Sequence, residues 1–166
     1  MKTDLYALMS KAYARMGDTI GCHEGLRHCE LYAGRIIAGQ GGPVEASYIQ
    51  PGLVEIQAAE ALRRLGDLSA AESYAAEAVR TAPDTHLRGQ VHRYAGLALV
   101  LTARGELDRG AHVAEQMLDH AIGMESGRIR DRVNTVITAL RPYSAQPGIA
   151  AVLERADGHH RVRGLR

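Results

Sequence analysis

The sequence predicts an all-α chain, a right-handed solenoid of about eight antiparallel helices. Three observations carry that prediction. A glycine followed by an acidic residue closes a helical run three times, at Gly17-Asp18, Gly66-Asp67 and Gly105-Glu106. The same neighbours flank each glycine: Tyr6, Glu55 or Tyr94 eleven residues before, Cys22, Ala71 or Gly110 five after, and Cys29, Ala78 or Met117 twelve after. A fixed frame of this kind is a tandem repeat, and tandem helix pairs stack on their neighbours. The third observation is composition: Phe and Trp are absent and Tyr numbers seven, so Ala, Leu, Val and Ile must build the core. Such a core suits closely packed helices better than sheets.

The elements run in order. Leu5, Leu8, Met9, Ala12, Tyr13 and Met16 recur at spacings of three and four, which predicts a helix over 3–16. Gly17 is its left-handed cap. A second helix runs from Thr19 to Ile37, and the 39–43 stretch GQGGP breaks it. Residues 39–50 form the longest irregular segment, pinned by Tyr48 and Ile49. Pro51 suits the first turn of a helix running to Leu65. Ser69-Ala-Ala-Glu72 reads as a capping box opening the next helix, which ends before Pro83. Asp84 or Thr85 caps a long helix to Arg104. A helix over 107–122 ends near Gly123, and Ser126 caps another that Pro142 stops. A short helix, 148–156, closes the repeat domain, 1–156. The tail 157–166, rich in Gly, His and Arg, is expected to be basic and disordered.

Charge and length exclude several classes of function. The chain has 166 residues, the size of one domain, and chains of that size bury about 70% of their unfolded surface. Lys+Arg total 20 against 19 Asp+Glu, a balance that argues against nucleic acid as partner of the whole surface. No apolar run approaches the roughly 20 residues of a membrane span, and the N-terminus lacks a signal-peptide core. A cytoplasmic location with no membrane contact is the expectation, and two cysteines do not make a disulfide framework.

Tyr6-x2-Met9-Ser10-x2-Tyr13 and Tyr94-x2-Leu97-Ala98-x2-Leu101 resemble the first half of the tetratricopeptide repeat, and Gly66-Asp67, Ala71-x3-Ala75, Ala78 and Pro83 resemble its second half. Glu55-x2-Ala58-Ala59-x2-Leu62 is the middle unit. Val133-x2-Val136-Ile137-x2-Leu140 adds a truncated fourth. Small residues at 10, 59 and 98 let paired helices approach closely. The stretch Ser126-Gly-Arg128-Ile-Arg130-Asp131-Arg132-Val133, with Leu140-Arg-Pro142-Tyr143, Pro147 and Val152-x-Glu154-Arg155, is similar to the C-terminal region of actinobacterial helix-turn-helix transcriptional regulators. That resemblance covers residues 45–156 best. It implies a sensory or self-association part of a regulatory system. No helix-turn-helix segment precedes Met1, so direct DNA binding does not carry over.

Few residues carry chemistry of their own. Cys22-His23 and His28-Cys29 invite a metal reading, but the two cysteines lie about 10.5 Å apart along a helix, and ligand bonds are only about 2.0–2.3 Å. Both fall on small-residue core positions, so buried thiols are expected and no metal or other cofactor. His112, Gln116 and His120, beside Glu115 and Asp119, read as a solvated polar face, since no H-E-x-x-H is present. Gly39-Gln-Gly41-Gly42 follows no strand and makes a weak phosphate loop. With no nucleophile elbow or P-loop, an enzyme is not the reading.

A groove is the better place to look. The first helix of each pair would line it, and the frame turns Lys11, Arg15, Gln57, Glu60, Arg64, His92, Arg130 and Asn134 inward. That mixture suits an extended peptide held through backbone amides and carboxylates. The alternative is a small-molecule sensor pocket lined by Tyr48, Tyr94 and His92. Arg128, Arg130, Arg132 and Arg141 make the fourth unit basic, fit for a capping surface or an acidic partner. Apolar residues on more than one side of the first helix predict a homodimer through it.

Overall fold

The computed structural model describes residues 2–36, 52–81, 83 and 86–163. These form helices α1 (Lys2–Met16), α2 (Thr19–Arg35), α3 (Leu53–Leu65), α4 (Leu68–Arg80), α5 (Leu87–Ala103), α6 (Leu107–Ala121), α7 (Gly127–Leu140) and α8 (Pro147–Arg163), with a 3-10 turn at Arg141–Tyr143. No strand occurs among the described residues, so the all-α prediction holds. The chain divides into two compact units, Met1–Ala82 and Pro83–Arg166.

One local device makes three of the helix hairpins. Gly17, Gly66 and Gly105 all take positive φ, +73°, +86° and +78°. Glycine reaches that left-handed region without the steric penalty of a Cβ. The next amide reaches back to close the helix: Asp18 donates to the Tyr13 carbonyl at 3.0 Å, Asp67 to Leu62 at 3.1 Å, and Glu106 to Leu101 at 3.0 Å. The same acidic residue then caps the following helix. The Asp18 carboxylate accepts from the Gly21 amide at 2.9 Å and the Asp67 carboxylate from Ala70 at 3.1 Å. Glu106 departs from this: its longer side chain turns to Arg104, at 2.8 Å, and to Arg109 instead. Hydrogen bonding to Arg109 first, with the positive charge around it, holds the Glu106 carboxyl below its ordinary range.

The capping box expected at Ser69 and Glu72 does not form. Asp67 is the cap, and Ser69 already lies inside α4, because the residue directly after the left-handed glycine is the first that can point its side chain at the new helix's free amides. The last helix runs to Arg163 rather than ending at 156: Ile149, Val152 and Ala156 form its buried stripe, and no proline interrupts residues 157–163. The loop residues at 39–50, the placement of Pro51 and the caps expected from Asp84 or Thr85 lie outside the described residues. α3 is capped by Gly52 and α5 by His86.

Within the first unit α1 pairs with α2 and α3 with α4, and α1 packs on α3. The frame positions are the points of closest approach. Ser10, Cys22, Cys29, Ala58, Ala59, Ala71 and Ala78 are all buried. A Cβ added at Gly25 would collide with Ser10 Oγ and lie 3.3 Å from Ser10 N, so α1 and α2 nearly touch at the backbone there. Tyr6 stacks on His28 and Tyr32 at centroid distances of 4.8 and 5.4 Å, and the Tyr74 hydroxyl donates to Glu30 at 2.6 Å, which ties α4 to α2.

In the second unit α5 pairs with α6, α7 packs on α5, and α8 packs on α6 and α7. Ala98 and Thr102 of α5 face Gly110 of α6, where an added Cβ would come within 3.2 Å of Thr102 Oγ1 and 3.7 Å of the Ala98 carbonyl. Val133, Val136, Ile137 and Leu140 form the buried stripe of α7.

Candidate functional site

The polar side chains picked out by the repeat frame fall in both units. In the first, Lys11 of α1 and Glu60 of α3 form an ion pair, Nζ to carboxylate oxygen 2.9 Å, both side chains half-buried. Gln57 lies one turn before Glu60 and is also half-buried. Arg15 and Arg64 each lie one turn beyond the pair and are exposed. α1 and α3 thus present a neutralised pair followed by two guanidiniums. Arginine offers five donors in a planar fork and can hold a carboxylate through two parallel bonds.

In the second unit His92 of α5 faces α7. Arg130 and Asn134 are exposed on one flank of the buried stripe of α7, whereas Arg128 and Arg132, one turn apart on the other flank, act on the imidazole. Burial first, then the Arg132 and Arg128 guanidiniums, push the His92 pKa down from its ordinary value, so the ring is held neutral with one donor and one acceptor. A Cβ added at Gly96, one turn beyond His92, would lie 3.7 Å from an Arg132 guanidinium nitrogen, an ordinary van der Waals contact that places Arg132 beside this turn of α5. The signal for this corner is present in the sequence as two i, i+4 pairs, 92/96 and 128/132. Only the rotation of α7 against α5 tells which flank is used.

Tyr94 does not join His92. Two residues apart on a helix means about 200° of rotation, and the Tyr94 ring stacks on His120 of α6 at 5.0 Å. The two side chains expected to share a small-molecule pocket therefore point apart, and Tyr48 lies outside the described residues. On the polar face of α6, His112 is exposed as expected. His120 is half-buried under Tyr94, and Asp119 pairs with Arg155 of α8.

Both cysteines are fully buried, as their frame positions require. Cys29 donates to the Thr3 carbonyl at 3.4 Å, and burial, with the charges of Glu30, Asp4 and Glu55, pushes its thiol up to about 11. Cys22 is raised as well, by burial and then Asp18. Neither is a ready thiolate. Among the described residues no group of three or more His, Cys, Asp and Glu side chains is arranged to hold a metal ion, and no helix is long and apolar enough to cross a membrane.

The described residues define a class, an all-α protein built from helix hairpins closed by left-handed glycines. Comparison with protein-family models, with curated proteins and with solved structures finds no match to any of them.

Proposed function

We propose that the chain is a tetratricopeptide-like helical-repeat module that binds a protein or peptide partner in an extended form along the first helices of its hairpins. The observation that carries the reading is the recurrence of one closing device at Gly17, Gly66 and Gly105 with the same buried small residues around it. Such repeats stack into solenoids whose concave side is a peptide-binding surface. The ion pair between Lys11 and Glu60 supports the stacking, because the two occupy the same frame position in consecutive hairpins. The exposed Arg15 and Arg64 favour a partner rich in carboxylates. A cytoplasmic regulatory setting, as the sensory part of a transcriptional system, rests on the resemblance of the 126–155 stretch to actinobacterial regulators.

A random peptide library displayed on phage, panned against the folded protein, tests this. Enriched peptides should carry Asp and Glu, and synthetic copies should bind in the micromolar range, about −8 kcal/mol. Arg64→Glu should weaken them about tenfold while leaving the helical circular dichroism intact. A library from which no peptide binds below about 1 mM rejects the proposal.

A further inference from the structure

One corner of the second unit gathers positive charge. His92 and Gly96 stand one turn apart on α5, and Arg128 and Arg132 stand one turn apart on α7, which packs on α5. The Arg132 guanidinium lies within ordinary contact distance of the Gly96 turn, and both guanidiniums act on the His92 ring. Among the described residues no carboxylate acts on that ring, from α7 or from any other element packed on α5. Asp131, between the two arginines in sequence, is exposed.

Two guanidiniums on one flank repel each other, and an anion between them relieves the repulsion. The corner is graded in depth: His92 and Arg132 are half-buried, and Arg128 is exposed. An anion therefore enters over Arg128 and meets the deeper pair. Arg132 has an interaction within the chain, which helps to hold it in place. A guanidinium offers five donors, so one such contact does not use them up.

The number of donors selects the anion. One guanidinium fork engages both oxygens of a carboxylate, which leaves the second fork and the imidazole N–H without an acceptor. A phosphate monoester carries about −1.5 to −2 charges at pH 7 and three acceptor oxygens, enough for two forks and a ring N–H.

We propose that the corner formed by His92, Arg128 and Arg132 between α5 and α7 is a binding site for a phosphate dianion, free or as a small monoester. Arg132 and His92 hold the phosphoryl oxygens deep in the corner, and Arg128 closes over them from solvent. The ester substituent of a monoester points outward past Arg128. The site goes beyond the peptide-binding reading and does not depend on it.

Histidine nuclear magnetic resonance of the full chain, titrated with sodium phosphate, tests this, with the His92 signals assigned by their loss in His92→Gln. Those signals should shift saturably, with half-saturation at about 1 mM or below. At saturation the ring should bind its proton about tenfold more tightly, because a dianion beside it favours the charged form. Acetate at the same ionic strength should do neither. Arg128→Gln, at an exposed site, should keep the circular dichroism of the parent and weaken phosphate at least about fivefold, and Arg132→Gln should weaken it too. Glycerol phosphate titrated in parallel separates the sources: tighter binding than inorganic phosphate assigns the site to a monoester, weaker binding to the free ion. A His92 signal that does not respond up to about 50 mM phosphate, an equal response to acetate, or an affinity indifferent to both arginine changes would each overturn the proposal.

Discussion

Lys11 and Glu60 lie forty-nine residues apart and 2.9 Å from each other, and forty-nine is also the spacing of Gly17 and Gly66. Equivalent positions of two successive hairpins thus sit side by side. The pair is half-buried, so its net effect on stability is modest. A double-mutant cycle with Lys11→Ala and Glu60→Ala in urea should give a coupling of about 0.5–1 kcal/mol that shrinks as salt is raised. Strictly additive effects at low salt would show that the two side chains do not interact in solution.

Three glycines should respond in three different ways to the same change. Gly34 sits in α2 with nothing within 4 Å of an added Cβ, so Gly34→Ala gains helix propensity, up to about 1 kcal/mol. Gly66→Ala meets no atom either, but the +86° backbone is strained for alanine and stability falls by about 1 kcal/mol. At Gly25 the propensity gain is opposed by a contact 3.3 Å from the Ser10 backbone, which cannot rotate away, and overpacking at about 1–3 kcal/mol wins. Thermal melts should rank the variants Gly34→Ala above the parent and the other two below it.

The cysteines are packing groups. Cys22→Ala and Cys29→Ala should each cost on the order of 1 kcal/mol, the loss of one small buried atom. Both thiols should react with a disulfide reagent only on unfolding, since burial and, for Cys29, a pKa pushed up to about 11 suppress the thiolate. Stoichiometric zinc in the purified protein, lost on either change, would refute the packing role.

His92 sets a pH dependence whose sign is fixed. Its pKa is lowered in the folded protein, so the unfolded chain binds the proton more tightly. Its contribution is fully present above the ordinary value of 6.5 and is lost as pH falls from there toward the folded value. Melting temperatures at about pH 7.5 and 5.5 should therefore fall less for His92→Gln than for the parent protein. In nuclear magnetic resonance titrations Arg132→Gln should move the His92 midpoint upward; an unmoved midpoint would remove the arginine from its surroundings.

The hairpins were legible in the sequence because their cause is local. A left-handed glycine, an amide reaching back five residues and an acid facing the next free amides all lie within about eight residues of chain, and each repeats at Gly17 and Gly66. The buried small residues at 10, 22, 29, 59, 71, 78 and 98 come from the same frame. Cap chemistry was only half legible: Asp67 and Ser69 are both good caps by type, and the glycine's position decides between them. The partners of the candidate groove residues lie outside what the frame states. Lys11 meets Glu60, Arg128 and Arg132 act on His92, and Tyr94 turns to His120. Sequence periodicity names the stripe a helix buries. The rotation of one helix against another, a matter of a few tens of degrees, is set by how side chains of both fill the space between them.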